Sequence, residues 1–289
     1  MCYTTGTIRG LFIVKRIVTI QDISCVGKCS LTVALPIISA AGVEAAIIPT
    51  AVLSTHTMFK NFTCKDLDDQ ILPIAKHWKD EGITFDAFYT GYLANAAQIE
   101  KVITLIESLK QDGNLVIIDP AMADNGKLYP AFDSEFPKEM AKLCAKADIV
   151  LPNITEACFL TDTEYREEYD EEFAKDVVKK LAAQGAKKVV LTGAAFDGSY
   201  GVLVYDSETD EFYNYQQERI DAAFHGTGDI FSSAFTGSLV RGKSLEESVK
   251  IAADYTAECI RITKASPNAN WYGVDFERAI PFLLKLLEA

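Results

Sequence analysis

The sequence has no run of 18 apolar residues, no Cys-x-x-Cys pair and only three histidines. Without a long apolar run no helix can span a bilayer, so we predict no membrane segment. The seven cysteines form an odd set with no histidine cluster beside them. Such a set is typical of reduced thiols in a cytosolic protein. The apolar stretch Leu11–Val14 is too short for the core of a signal peptide, so we expect a cytoplasmic location.

Basic residues are also scarce: 28 lysines and arginines stand against 41 acidic residues, which gives a formal net charge of −13. A field of this sign does not attract nucleic acids or anionic membranes, so we expect neither as a partner. An anionic small molecule must be held locally instead, by backbone N–H groups or by a metal ion.

From Arg16 onward, short β-branched segments alternate with amphipathic segments of helix length. This alternation predicts an α/β fold of three layers, αβα, in which a central, mostly parallel sheet carries helices on both faces. The predicted strands are Ile17–Ile20, Ala45–Pro49, Ala87–Thr90, Leu115–Ile118, Ile149–Leu151 and Val189–Leu191. The predicted helices between them are Leu31–Ala41, Asp66–Glu81, Ala96–Gln111, Glu135–Lys146 and Glu171–Gln184.

The pattern changes after the sixth predicted strand. Gly201–Tyr205 and Glu211–Tyr215, separated by a polar turn, predict an antiparallel hairpin at the edge of the sheet. Three helices complete the chain, near Thr227–Val240, Leu245–Ile262 and Asp275–Leu287. Because we find no linker, repeat or low-complexity tract, we expect residues 16–289 to form a single domain. Residues 1–15 precede the first strand and are expected to form a loose N-terminal arm.

The sharpest motif is His225–Asp229, with the sequence His-Gly-Thr-Gly-Asp, which runs directly into the predicted helix of small residues up to Val240. Glycines let the backbone turn so that several N–H groups point one way at a helix N-terminus, where the helix dipole adds positive potential. The motif therefore predicts an anion hole, with Asp229 beside it as a base for a hydroxyl group. The pattern alone leaves open a second interpretation, in which Asp229 only caps the helix.

Acidic residues follow two neighbouring predicted strands. Asp119 and Asp124 come after the fourth strand, and Asn153 and Glu156 come after the fifth. Ligands in such sheets bind at the carboxyl ends of the strands, and Mg²⁺ needs only one or two carboxylates besides water and phosphate oxygens. Each residue taken alone is also an ordinary turn residue. Together with the His225–Asp229 motif they predict a nucleotide and magnesium site at one edge of the sheet.

Two further strand ends are candidates for ligand contact. Thr192, at the end of the sixth predicted strand, either borders the nucleotide or belongs to an ordinary turn. Tyr92 follows Gly91 after the third strand, where its ring is able to lie over a flat aromatic substrate. His56 follows the second strand, and a lone histidine of this kind is more often a satisfied structural residue, so we assign it no role.

The segment Gly237–Ser244 matches the spelling of a nucleotide-binding P-loop, Gly-x-x-x-x-Gly-Lys-Ser. A P-loop requires a buried strand before it, whereas this segment lies between two predicted helices. We therefore interpret Gly242 as the end of one helix, and Ser244 with Glu247 as a capping box for the next.

Asn153-x-x-Glu156 followed by Gly226-Thr-Gly-Asp229 resembles the ribokinase-like superfamily, and within it the pyridoxal kinases. The likeness extends from about Arg16 to Leu287, and its supporting segments are Ile20–Asp22, Pro49–Thr57, Thr90–Leu93, Asp119–Pro120 and Lys127–Pro130. The resemblance implies ATP-dependent phosphorylation of the hydroxymethyl group of a B6 vitamer. It also implies Mg²⁺, K⁺ beside it, and a homodimer.

The resemblance implies residue roles position by position. The base is Asp229, and the anion hole is Gly226, Thr227 and Gly228. The magnesium environment is Asp119, Asp124 and Glu156. ATP is approached by Asp119, Tyr129, Asn153, Glu156 and Thr192, and the pyridine ring is surrounded by Asp22, Thr50 and Tyr92.

This sequence departs from the pattern at two positions. Many pyridoxal kinases have Ser where Asp22 stands and Gln where Val52 stands, so the contacts to the ring substituents must differ. Kinases of hydroxymethylpyrimidine or of another small alcohol or sugar therefore stay open. So does a noncatalytic ligand-binding relative, although such a protein has no need of a base.

Overall fold

The computed structural model describes residues 14–196, 198–222 and 224–289. Most of the predicted N-terminal arm, residues 1–15, lies outside this part of the chain. The eleven strands are β1 (Arg16–Ser24), β2 (Glu44–Leu53), β3 (Cys64–Asp66), β4 (Ala87–Thr90), β5 (Leu115–Ile118), β6 (Ala123–Asp124), β7 (Lys127–Leu128), β8 (Ile149–Val150), β9 (Lys188–Phe196), β10 (Ser199–Asp206) and β11 (Glu211–Gln217).

The α-helices are α1 (Leu31–Ala40), α2 (Ile71–Asp80), α3 (Ala96–Leu109), α4 (Phe136–Cys144), α5 (Ile154–Leu160), α6 (Glu171–Ala183), α7 (Thr227–Arg241), α8 (Leu245–Ala265) and α9 (Ile280–Glu288). Two 3₁₀ turns, Asp68–Gln70 and Phe276–Ala279, precede α2 and α9. In the described part of the chain no helix has both the length and the apolar character needed to cross a bilayer.

Nine of the strands form one sheet in the order β11-β10-β9-β8-β5-β4-β1-β2-β3. The six strands from β9 to β2 pair in parallel, whereas β10, β11 and β3 pair antiparallel at the two edges. This arrangement confirms the predicted three-layer fold and its edge hairpin. Because the six parallel strands point the same way, all their carboxyl ends meet at one side of the sheet.

The two faces of the sheet bury separate apolar clusters. Alternate residues of a strand point to opposite faces, so Val18 and Ile20 of β1 pack against α2 to α6, while Ile17 faces α1, α7, α8 and α9. Phe88 and Tyr89 of β4 divide in the same way, and both are fully buried. This burial on both faces fixes the strand register, because a slip of one residue would exchange the two faces.

The structure departs from the prediction at three places. The helix expected from Asp66 begins at Ile71, because Cys64–Asp66 pairs with β2 at the sheet edge. No strand was predicted after Asp124, but β6 and β7 form a small hairpin there. Its turn residues, Asn125 and Gly126, have φ of 50° and 74°, as a tight two-residue hairpin turn requires. The short helix α5 was not predicted at all.

The segment that resembles a P-loop has no strand before it. Gly242, with φ of 111°, ends α7, and Ser244 starts α8. The Ser244 side chain accepts a hydrogen bond from the Glu247 N–H at 3.2 Å, and the Glu247 carboxylate accepts one from the Ser244 N–H at 2.8 Å. The predicted capping box is therefore confirmed.

This capping box gives a test of stability. Ser244→Ala removes the acceptor for a helix N–H, so we expect the free energy of unfolding to fall by about 1 kcal/mol in urea titrations. Ser244→Asp keeps an acceptor at the N-cap and should stay close to the wild type. Equal loss in both variants would contradict the assignment of the cap.

Candidate active site

The carboxyl ends of the parallel strands and the start of α7 build the candidate site. Asp119 directly follows β5, and Glu156 lies in the first turn of α5 after β8. Asp22 and Thr50 lie in β1 and β2, and Thr192 lies in β9. The fold thus brings Asp22 and Asp229, which are 207 positions apart in the sequence, to one edge of the sheet.

The backbone at the start of α7 depends on a glycine. Gly226 is the N-cap residue with φ of 85°, and a Cβ there would lie 1.9 Å from the carbonyl oxygen of Lys28. Any larger residue would therefore clash and strain the turn. Because no side chain caps α7, the N–H groups of its first turn are not used by a capping side chain. The alternative interpretation of Asp229 as the cap is wrong, since Asp229 lies inside the first turn.

Asp229 has an environment suited to a base that works near neutral pH. Its side chain is half-buried, and burial raises its pKa to about 8. The charge of Asp119 raises the pKa further, the backbone N–H of Ser30 lowers it, and Asp22 adds a smaller increase. A carboxyl group with a pKa in this range can take up a proton from a hydroxyl group and release it again.

Asp119 is bound to the same helix by a residue that the sequence analysis missed. Its Oδ2 accepts a hydrogen bond of 2.7 Å from the hydroxyl of Ser232, and both side chains are buried. Burial raises the pKa of Asp119 to about 7, and the charge of Glu156 contributes. Ser232 lies three residues after Asp229, hence on the same helix face, and this spacing was the signal that could have identified it.

Glu156 has a structural role that its position alone did not reveal. One carboxylate oxygen accepts from the N–H of Asn153 at 2.9 Å, and the other accepts from the N–H of Met122 at 3.0 Å. The Asn153 side chain accepts from the Glu156 N–H and donates to the carbonyl of Ala123 at 2.9 Å. The motif Asn-x-x-Glu is thus a capping box for α5 that also holds the segment leading to β6.

The carboxyl groups crowd each other. Burial raises the pKa of Glu156 to about 7 despite its backbone hydrogen bonds, and the charge of the exposed Asp124 adds to this increase. Within the described residues, no three or more His, Cys, Asp or Glu side chains come together as a metal cage. Oxygen donors from one or two carboxylates are what Mg²⁺ uses when phosphates and water complete its coordination. The residues present therefore fit magnesium bound together with a nucleotide.

Tyr129 lies at the centre of this acidic region. Burial raises the pKa of its phenol, as do the charges of Glu156, Asp119, Asp124 and Asp229 in that order. Its main-chain N–H donates to the carbonyl of Met122 at 2.8 Å. The side chain is 37% exposed, and the influence of these charges places its phenol near the acidic groups.

A second part of the site lies towards β1 and β2. Asp22 is buried, and its carboxylate accepts a hydrogen bond of 3.1 Å from Ser24. Burial raises the pKa of Asp22, whereas the hydroxyls of Ser30 and Ser24 lower it. Burial raises the pKa of Tyr92 to about 12, and the charge of Asp22 adds to it. The charge of Asp22 thus reaches the phenol of Tyr92, in the region where the ring site is predicted.

An aromatic residue that was not predicted joins the two parts. Phe132 has its ring centroid 5.5 Å from that of Tyr92 and 6.4 Å from that of Tyr129. It stacks on Phe136 at 3.8 Å. No sequence motif marks Phe132. Its position three residues after Tyr129 is the only signal in the sequence that links it to the site.

The remaining candidates have ordinary local contacts. Thr192 donates a hydrogen bond of 3.3 Å to the carbonyl of Pro152 and pairs with Asn153 in an isolated parallel β-bridge. Thr50 is buried, and its carbonyl accepts from Gln98 at 3.3 Å. His56 is also buried, with one ring nitrogen 2.9 Å from the carbonyl of Tyr272 and the other accepting from the Met58 N–H. His56 is thus a satisfied structural residue.

The fold is shared with solved structures of small-molecule kinases, among them a pyridoxal kinase. The sequence profile of the family described as phosphomethylpyrimidine kinase matches residues 34–274. The chain belongs to this kinase family, which confirms the resemblance found in the sequence.

Similar proteins include kinases of two substrate classes. A Bacteroides thetaiotaomicron protein, assigned as a phosphomethylpyrimidine kinase and crystallised with pyridoxal, is 36% identical, with a TM-score of 0.88 over 93% of this chain and 96% of that one. The pyridoxine/pyridoxal/pyridoxamine kinase of Bordetella avium is 28% identical over 272 residues, 88% of this chain and 87% of that protein. The hydroxymethylpyrimidine/phosphomethylpyrimidine kinase of Aquifex aeolicus is 27% identical over 227 residues, 76% and 83% of the two chains.

The raised pKa of Asp229 predicts a pH dependence of stability. The folded carboxyl group keeps its proton up to about pH 8, whereas the group in the unfolded chain loses it near its ordinary pKa of 3.8. Between these values the folded protein binds more protons, so its stability falls as the pH rises. Asp229→Asn should remove part of this fall, so its melting temperature should drop less than that of the wild type between pH 5 and pH 8.

The measurement is a melting series by differential scanning fluorimetry without nucleotide or magnesium. Asp80→Asn, which changes an exposed carboxylate on α2, serves as the control and should follow the wild type. Parallel curves for Asp229→Asn and the wild type would show that burial does not shift this group.

Proposed function

We propose that this protein uses ATP to phosphorylate the 5′-hydroxymethyl group of a B6 vitamer: pyridoxal, pyridoxine or pyridoxamine. The observation that carries the proposal is the position of Asp229, with a pKa of about 8, in an uncapped first helical turn near Asp119. This places a proton acceptor and a set of backbone donors next to a magnesium-compatible carboxylate. The pyridoxal-bound relative that is 36% identical supports the choice of substrate.

In the proposed reaction Asp229 accepts the proton of the substrate hydroxyl while the oxygen attacks the γ-phosphorus. The bond from that phosphorus to the β,γ-bridging oxygen breaks, and ADP leaves. The N–H groups of Gly226, Thr227 and Gly228 stabilise the charge on the transferring group. Phosphoryl transfer leaves little covalent work for the protein, so positioning and charge neutralisation dominate. A base near its own pKa at neutral pH meets both needs, since it is able to accept the proton and to lose it after turnover.

Magnesium would be held by Asp119 and Glu156, with Asp124 beside them. When bound with ATP, the ion would neutralise phosphate charge. Glu156 also orders the backbone of Asn153 and Met122, since each of its oxygens accepts an N–H hydrogen bond. Asp119 is itself oriented by hydrogen bonds from the Ser232 hydroxyl and the Ala121 N–H. We place ATP against Tyr129, Asn153 and Thr192.

The ring would lie between Asp22, Thr50 and Tyr92. Tyr92 offers an aromatic face, and the buried carboxyl of Asp22 offers a polar contact to a ring substituent. A second candidate substrate is hydroxymethylpyrimidine, because the family profile and the Aquifex aeolicus relative point to pyrimidine kinases. Both compounds present a hydroxymethyl group on a nitrogen heterocycle, so the same base serves either.

Four further parts of the proposal come from the sequence and the resemblance alone. They are a requirement for K⁺, a homodimer, a cytoplasmic location and action of residues 16–289 as one domain. Size-exclusion chromatography with light scattering tests the dimer, and replacing K⁺ by Na⁺ in the assay tests the cation.

One assay tests the proposal. ATP consumption is measured with pyridoxal, pyridoxine, pyridoxamine and hydroxymethylpyrimidine, one at a time, and the product is identified by mass spectrometry. Turnover highest with a B6 vitamer supports the proposal, and turnover highest with hydroxymethylpyrimidine supports the alternative. Binding of the compounds without any ATP consumption would favour a noncatalytic relative.

Replacement of the base has a specific expected result. Asp229→Ala should lower kcat by roughly 10² to 10⁴-fold, because the hydroxyl proton loses its acceptor. ATP affinity, measured by isothermal titration calorimetry with magnesium, should change little. Asp80→Ala, which removes an exposed carboxylate on α2, is the control and should retain turnover. Wild-type kcat in Asp229→Ala would remove this residue from the mechanism.

A further inference from the structure

The loop between β1 and α1 touches the start of α7 at its backbone. The carbonyl of Lys28 lies against Gly226, where a Cβ would come within 1.9 Å. Two residues later, the backbone N–H of Ser30 faces the Asp229 carboxyl and lowers its pKa. Ser30 has φ of 51°, a conformation that serine adopts only when its surroundings enforce it. The position of residues 28–30 therefore bears directly on the base and on the anion hole.

The side chain of Lys28 fixes this loop to the C-terminal part of the chain. Its Nζ makes ion pairs of 2.8 Å with Asp275 and with Glu277. The Lys28 and Asp275 side chains are 15% and 14% exposed, so water screens this pair only in part. The Lys28 stem packs on Gly273, where a Cβ would lie 2.5 Å from the lysine Cβ. Lys28 Nζ also lies 5.9 Å from the ring centroid of Phe276.

Other contacts hold the loop only at its ends. The Thr32 hydroxyl donates to the carbonyls of Gly27 and Cys29 at 3.1 and 2.8 Å, and His56 packs against Gly27. These bonds fix the local shape of the loop. A second path joins the C-terminal segment to the start of α7 through His56, which lies 2.9 Å from the carbonyl of Tyr272 and whose ring centroid is 4.4 Å from that of His225. The charged link from Asp275 and Glu277 to the 27–30 loop runs through Lys28.

We propose that Lys28 is a positioning residue for phosphoryl transfer. Its ion pairs with Asp275 and Glu277 hold the 27–30 loop against Gly226, and this sets the position of the α7 start and of the Asp229 carboxyl. Lys28 contacts neither the nucleotide nor the hydroxymethyl group in this role. The inference rests on the proposed function, because it concerns the geometry of the same reaction.

The test compares Lys28→Met with Lys28→Arg. Methionine keeps an unbranched stem against Gly273 and Phe276 but loses the charge, whereas arginine keeps the charge. We expect kcat of Lys28→Met to fall about 10- to 100-fold, since a small displacement of a reacting group has effects of this size. We expect KM for ATP to change by less than about threefold, because the variant leaves ground-state binding intact. Lys28→Arg should restore most of kcat.

Glu277→Gln gives a milder variant on the other side of the ion pair, since Glu277 is half exposed. It should lower kcat in the same direction without changing KM. The double variant Lys28→Met/Glu277→Gln should be no slower than Lys28→Met alone, because both changes remove the same ion pair between Lys28 and Glu277. Lys76→Met, which breaks the exposed pair with Asp80 on α2, is the control and should retain wild-type kcat.

Melting temperature and the folded fraction are measured for each variant, so that kcat refers to folded protein. Wild-type kcat in folded Lys28→Met overturns the inference, and so does a loss that Lys28→Arg shares in full. Should Lys28→Met fail to fold, Glu277→Gln decides, and an unchanged kcat there overturns the inference. Absence of ATP consumption by the wild type with every compound instead removes the proposed function, and this inference with it.

Discussion

Asp119, Glu156 and Asp229 are three carboxyl groups with raised pKa values at one side of the sheet, the first two buried and Asp229 half-buried. The cost of burying their charges, to which the charges of neighbouring carboxylates add, is the constraint on the rest of the site. Backbone N–H groups, the Ser232 hydroxyl and the start of α7 all supply positive potential to this region. A magnesium ion bound with a nucleotide would offset the charge of these carboxylates. Because the chain has a formal net charge of −13, an anionic ligand gains no attraction from the overall field and depends on these local groups.

The sequence predicted the alternating strands and helices of the fold. Buried parallel strands such as Val116–Ile118 have no polar alternation, and the helices between them have clear amphipathic spacing. The interpretation of Gly237–Ser244 as a boundary between two helices, and not as a P-loop, was also confirmed. It relied on the predicted elements on either side of the segment rather than on its residue pattern alone. The kinase family followed from two short motifs, Asn153–Glu156 and Gly226–Asp229, that resemble those of known kinases.

The parts that could not be predicted depend on contacts between distant segments. Ser232 has no marker in the sequence apart from its spacing to Asp229, and its role exists only because β5 ends beside α7. Lys28 resembles any other lysine until the fold brings Asp275 within 2.8 Å of it. Glu156 was predicted to lie at the magnesium and ATP site, yet its hydrogen bonds show that it also belongs to the capping box of α5. A single side chain thus serves two purposes, which one-dimensional patterns do not separate.

The outermost strand β3 has a consequence for how the molecule meets its neighbours. It is only three residues long, all of them exposed, and two of the three, Lys65 and Asp66, are charged. A short charged border offers few free peptide groups for another chain to pair with, so the sheet is not readily extended by a second copy on that side. Ribbon-like aggregation through this edge is therefore disfavoured, and self-association would use other surfaces.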